Sequence, residues 1–279
     1  MRAMSDSQNK TVRAAMEEAM GDIHNYGNLM KLYRFKDPVL KDYVIRTPQG
    51  YSAEELLSRT SSLCAPKYLF RGFAAGQPLM EGCIAEGPAM FEIIRFQDGQ
   101  SLKELQFSAN TDAYQRAFKD AWLKKGQSQE MLNEFFAQAA FCGIPNPRHT
   151  ERQTDYNPGN QLLHDGRLSH VDRMGFEYQY KDADTTLSPK EWQRLHVESL
   201  FDEMKPVDTG LGSRKTREML EKARDYAYDL IERDALESTY PEWKGFEKVD
   251  DVKAITPDAS VKELKEALDS LYAQTGCAR

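Results

Sequence analysis

Three side chains in one short stretch are of types that bind a hard cation or move a proton. Asp155, Asn160 and Asp172 lie in the segment Asp155 to Gly175, DYNPGNQLLHDGRLSHVDRMG. Asp155-Tyr-Asn-Pro-Gly-Asn160 reads as a polar loop, since Asn, Pro and Gly each favour turn geometry. The runs NQLLH and RLSHVD that follow are short and alternating, and Asp165-Gly166 stands between them. An Asp-Gly pair in that setting is a strong hairpin signal, because the tight turns that suit twisted strands need positive φ at their centre. With that turn, His164 faces Arg167 and Asn160 faces Val171, so Asp172 returns beside Asn160. The loop carrying Asp155 lies at the same end. Two carboxylates and an amide oxygen gathered there are hard ligands, suited to Mg²⁺ shared with phosphate groups.

The elements that must position this loop divide into a sheet-rich first part and a helix-rich second part. Thr11 to Met20 places Val12, Ala15, Met16, Ala19 and Met20 on one helical face. Leu29 to Phe35 and Asp42 to Thr47 alternate and are rich in strand formers, with Asp37-Pro38 as a break between them. A capping box at Ser52 and Glu55 opens a helix whose apolar residues include Leu56, Leu57 and Leu63. Lys67 to Gly72 and Met90 to Phe96 read as further strands. Beyond Asp112 the pattern turns helical, at Ala113 to Leu123 and at Glu130 to Cys142, the latter stopping at Gly143. Further helices begin at Ser188-Pro189-Lys-Glu191, run from about Ser213 to Leu236, and start at the box formed by Ser260 and Glu263. Such a division predicts an α+β protein of two lobes.

The succession Asp-x-x-Pro-x-Asn, hairpin, then Asp shortly before Gly resembles the catalytic and metal-binding loops of the protein-kinase-like superfamily, including aminoglycoside-phosphotransferase-like small-molecule kinases. The resemblance implies a bilobal kinase-like fold. Residues 1–97 would form a small N-lobe, an antiparallel sheet with one inserted helix and an N-terminal helix. Residues 98–279 would form a larger helical C-lobe with the catalytic loops. It also implies an ATP- and Mg²⁺-dependent phosphotransferase. Asp155 would be the catalytic base for an acceptor hydroxyl, and Asn160 and Asp172 would hold the magnesium ions that bridge the nucleotide phosphates.

Other segments take roles in the same resemblance. Phe91 to Leu102 (FEIIRFQDGQSL) is similar to the strand and hinge, with Ile94 at the back of the adenine pocket and the backbone of Arg95 to Gln97 pairing with adenine. Gly21 and Gly27 would belong to a degenerate phosphate-covering loop. Tyr43-Val-Ile-Arg46 would carry the phosphate-binding cation, with Arg46 where kinases usually have Lys, a planar fork in place of a compact ammonium. Glu54 would be its helix partner, since Glu55 serves the capping box. Gln153-Thr154 before Asp155 and Arg173-Met174 after Asp172 depart from the family's usual residues. Two readings therefore stay open beside the kinase, a pseudokinase acting as a protein-interaction module and a kinase-fold adenylyltransferase. The acceptor hydroxyl belongs to a protein, as in bacterial effector-type kinases, or to a small molecule.

Composition narrows the remaining classes. The chain of 279 residues has 37 Lys+Arg against 44 Asp+Glu, a net charge of −7. Such an excess of acid argues against a broad nucleic-acid surface, which needs surplus cations to neutralise phosphates. No run approaches the ~18 consecutive apolar residues of a membrane-spanning helix. The opening MRAMSDSQNKTVRAAMEEAM lacks the apolar centre of a signal peptide. Cys64, Cys83, Cys142 and Cys277 form no CxxC pair and read as reduced thiols, in a cytoplasmic chain or one delivered into a host cytosol. The five histidines show no metal-ligand spacing. The resemblance makes ATP and a protein or small-molecule hydroxyl acceptor the expected partners, and composition argues against nucleic acid and a membrane span.

Overall fold

The computed structural model describes residues 10–19, 23–24, 30–48, 53–72, 76–83, 91–103, 128–143, 158–164, 167–170, 187–204 and 213–277. The chain divides into two compact units, Met1–Phe96 with Phe246–Arg279, and Gln97–Gly245. The result is an α+β protein with an antiparallel main sheet.

In the first unit, helix α1 (Val12–Ala19) precedes strands β1 (Ile23–His24), β2 (Met30–Arg34) and β3 (Tyr43–Pro48). Helix α2 (Ala53–Arg59) follows, then β4 (Ser62–Cys64), β5 (Tyr68–Arg71), β6 (Pro78–Cys83) and β7 (Glu92–Arg95). Six of these strands form a sheet in the order β1-β2-β3-β7-β6-β4. The Asp37-Pro38 break is a short 3₁₀ turn, Pro38–Leu40, capped by Asp37 Oδ1 accepting the Val39 N–H at 2.9 Å. Leu63, expected on a helix, instead lies in β4, opposite Gly82 of β6. Glycine is required at position 82 because the Phe91 ring presses on the strand. A Cβ there would come within 2.3 Å of Phe91 Cε1.

Strand alternation sends Tyr33, Tyr43, Ile45 and Ile93 to one face of this sheet, where they meet Leu56 and Leu57 of α2 and Val12, Ala15 and Met16 of α1. The same core takes in Val261, Leu264, Leu268 and Leu271 of the C-terminal helix, Val261–Gln274. Those four follow the three- and four-residue spacing of a single helical stripe. Ser260 and Glu263 cap that helix reciprocally, the Glu263 N–H donating to Ser260 Oγ at 3.3 Å and the Ser260 N–H to Glu263 Oε2 at 2.9 Å. The C-terminal segment therefore belongs to the first unit, not to the helical lobe in which the sequence reading placed all residues beyond 97. Its apolar stripe closes the core over the sheet.

In the second unit, β8 (Gln100–Ser101) is followed by helix α3 (Ser128–Cys142), then by β9 (Gln161–His164) and β10 (Arg167–His170). Helices α4 (Pro189–Met204), α5 (Ser213–Glu232) and α6 (Leu236–Thr239) complete it, and β11 (Gly245–Lys248) leads back to pair with β5. The C-terminal helix, Val261–Gln274, is α7. Helix α3 is buried through Leu132, Phe135, Phe136, Ala139, Ala140 and Phe141, which accounts for its packing against α4, α5 and β10. The helix expected to run to Leu236 stops at Glu232. Asp234 adopts a φ of 50°, which lets the Ala235 N–H reach back to Leu230 O at 2.8 Å. The helix expected at 113–123 lies outside the described residues. Among the described residues no helix is long and apolar enough to cross a membrane.

Leu268 is fully buried in the core that α7 closes. Leu268→Ala is predicted to lower the free energy of unfolding by about 2–5 kcal/mol, measured in urea. A loss below about 1 kcal/mol would mean that α7 does not close the core.

Candidate functional site

Arg46 and Glu92 are cross-strand partners in the β3–β7 ladder, two places from the pair formed by Val44 and Ile94. Because strand side chains alternate, these four residues share the face opposite to Tyr43, Ile45 and Ile93. All four are buried, Arg46 at 4% and Glu92 at 6% exposure. Arg46 Nε and Nη2 both donate to Glu92 Oε2, at 2.8 and 2.5 Å. On this face Arg46 and Glu92 lie beside the aliphatic Val44 and Ile94, with Arg34 of β2 opposite Val44 and Glu81 of β6 opposite Glu92. Desolvation of the two charges is offset by their attraction at this short range, so the pair is held together more than it adds net stability.

The resemblance set Glu54 beside Arg46. Among the described residues Arg46 is paired with Glu92, which the sequence reading did not single out. Glu54 lies in α2, and its side chain is outside the described residues; α2 sends Leu56 and Leu57 to the core on the Tyr43 side of β3. The signal that marks Glu92 is a charged residue at a strand position whose neighbours are Phe91, Ile93 and Ile94. Using it requires the register between strands 46 residues apart in sequence.

Ile94 is 7% exposed and lies on the Arg46 face. Arg95 points the other way. Its guanidinium sits 5.2 Å from the Tyr43 ring centroid and 4.7 Å from that of Tyr272, with Asp42 Oδ2 at 3.7 Å. The Phe96 N–H donates to Asp42 O at 2.9 Å. Backbone groups alternate along an extended strand as side chains do, so the Arg95 N–H and C=O are directed away from β3. Gln97, half-buried, follows at the strand's end.

Asn160 ends a 3₁₀ turn, Pro158–Asn160, and leads directly into β9. The β9–β10 hairpin pairs His164 with Arg167 and Gln161 with His170, the register that the Asp-Gly turn predicts. Strand β8 extends it, Ser101 opposite Leu162. The hairpin is anchored on α3 by the His170 ring stacked on Phe135, with centroids 4.2 Å apart. Asp155, Asp172, Gly21 and Gly27 lie outside the described residues. Among the described residues no group of three His, Cys, Asp or Glu side chains could hold a metal ion. Of the proposed magnesium ligands, Asn160 is the one with a described position.

No family model matches the chain, and no curated protein or solved structure matches it.

The buried pair makes a double-variant test informative. Arg46→Leu and Glu92→Leu are each predicted to lower stability by about 3–5 kcal/mol, because each removes one member of a buried ion pair. The double variant should lose less than either single one, as measured by urea unfolding. A double loss equal to the sum of the singles would show that the two side chains act independently.

Proposed function

We propose that the protein is an ATP- and Mg²⁺-dependent phosphotransferase of atypical kinase-like class. The observation that carries this reading is the face shared by Val44, Arg46, Glu92 and Ile94. The resemblance assigns Arg46 to the nucleotide phosphates and Ile94 to the adenine pocket, two roles that require one face of two neighbouring strands. The register of the β9–β10 hairpin supports it further, since it sets Asn160 at the strand end to which the chain returns toward Asp172. In this reading Asn160 and Asp172 hold Mg²⁺ on the phosphates, and Asp155 orients or deprotonates the acceptor hydroxyl. Arg46, with the Gly21 and Gly27 loop, neutralises phosphate charge. Catalysis then rests on positioning and charge compensation rather than on a covalent intermediate.

A second reading, a pseudokinase that binds a partner protein, draws on one observation. The cation at the phosphate-binding position is already engaged by Glu92 in a buried pair. Nucleotide titration separates the two, since a ligand that binds only the folded state raises its stability, by about 2.7 kcal/mol at a hundredfold excess over Kd. The kinase reading predicts a thermal shift with ATP that grows on adding Mg²⁺. Asp172→Ala should lose the Mg²⁺-dependent part. Asp155→Ala should keep the full shift yet lose transfer of the γ-phosphoryl group to hydroxyl acceptors. Intact masses of the products distinguish a phosphoryl from an adenylyl gain. Absence of any nucleotide shift, or full transfer activity in both variants, would overturn the assignment.

A further inference from the structure

Cys64 and Cys83 are distant in sequence, yet β4 and β6 bring them side by side. The register pairs Ser62 with Cys83 and Cys64 with Glu81, so the two cysteines are diagonal neighbours on one face of the ladder. Ser62 Oγ lies 3.3 Å from Cys64 Sγ. Both cysteines are half-buried free thiols, within reach of a small reactant. Cys142 ends α3 in the second unit, and Cys277 follows α7 with its Sγ 3.7 Å from Thr275 O.

The two sulfurs are not equivalent. Burial, followed by the neighbouring Cys64 side chain, pushes the Cys83 thiol up to about 12, so it keeps its proton at neutral pH. A thiol held protonated is a poor attacking group. Cys64, beside the Ser62 hydroxyl, therefore makes the first attack.

We propose that Cys64 and Cys83 form a reversible redox pair, closed to a cross-strand disulfide by a small-molecule disulfide such as oxidised glutathione. The Cys64 thiolate attacks one sulfur of the oxidant and breaks its S–S bond. One glutathione leaves as a thiolate and takes up a proton, and the other remains on Cys64 as a mixed disulfide. Cys83 then gives its proton to solvent and attacks the Cys64 sulfur, which releases the second glutathione. Two protein thiols become one disulfide while the oxidant is reduced to two thiols, so two electrons and two protons are transferred.

Geometry makes this bond labile. Diagonal neighbours in a ladder lie about 7–8 Å apart, beyond the Cα separation of about 4.4–6.8 Å that a relaxed disulfide prefers. Closure must draw β4 toward β6, and a strained bond is reduced more easily. Strand β4 is suited to that movement. It has three residues, ends the sheet, and is tied on its outer side by the bridge between Leu63 and Ile255. The inference is independent of the kinase reading.

The test equilibrates the full-length protein with mixtures of oxidised and reduced glutathione, alkylates free thiols, and maps peptides by mass spectrometry. The expected product is a chain lighter by two hydrogens, with a peptide pair joined through Cys64 and Cys83, reversed by dithiothreitol. A Cys142→Ser/Cys277→Ser variant should behave identically. Cys83→Ser should stop with glutathione held on Cys64. The proposal is overturned if Cys64 and Cys83 are alkylated as free thiols at every glutathione ratio. It is equally overturned if they pair instead with Cys142 or Cys277, or if unresolved mixed disulfides accumulate in the unmutated chain.

Discussion

The pairing of Arg46 with Glu92 sets the register of β3 against β7, and the two faces of the main sheet follow from that register. A slip of one residue in β3 would turn Arg46 toward the core and Ile45 away from it, because side chains alternate with period two. As it stands, Tyr43, Ile45 and Ile93 lie on the side where α1, α2 and α7 pack. The opposite face carries Val44, Arg46, Glu92 and Ile94. A buried ion pair contributes little net stability, yet a mispaired one is costly, so the pair favours this register over its neighbours. The candidate nucleotide face and the core are therefore two consequences of one alignment.

The C-terminal helix makes the second set of contacts on these strands. Tyr43 donates its hydroxyl to Asp269 Oδ1 at 2.5 Å, and Lys265 Nζ reaches the same oxygen at 2.6 Å. Burial first, then the hydrogen bond to Asp269, holds the Tyr43 phenol above its ordinary range, so it remains a donor throughout the neutral range. Arg95 stacks against both Tyr43 and Tyr272. Helix α7 thus grips the side chain of Arg95, the residue whose backbone the kinase resemblance reads as part of the adenine-binding hinge. Side chain and backbone of one residue serve separate ends, one fixed by α7 and the other directed away from β3.

Local signals in the sequence carried furthest. The caps at Ser188 with Glu191 and at Ser260 with Glu263 both form, because each depends on residues three apart. The Asp-Gly hairpin forms in the expected register for the same reason. Strand β4 was not legible, since three residues are too few to show a period. Strand β6 contains Pro78 and Gly82 and a register shift between Pro78 and Met80, which breaks the alternation a reader would look for. The pairing of Arg46 with Glu92 depends on long-range register, which no local pattern encodes. Nor does the stripe on α7 say which sheet it will cover. Of the candidate site, Arg46, Ile94, Arg95, Gln97 and Asn160 have described positions, as does the backbone of Glu54, and the strand residues among them owe those positions to the β3–β7 alignment.

The most direct test of the account is a crystal structure with a non-hydrolysable ATP analogue and Mg²⁺. The account predicts adenine against the backbone of Arg95 to Gln97, phosphates on the Arg46 face of the sheet, and a metal ion shared by Asn160 and Asp172. A nucleotide bound away from the Arg46 face, or a metal ion that touches neither Asn160 nor Asp172, would contradict it.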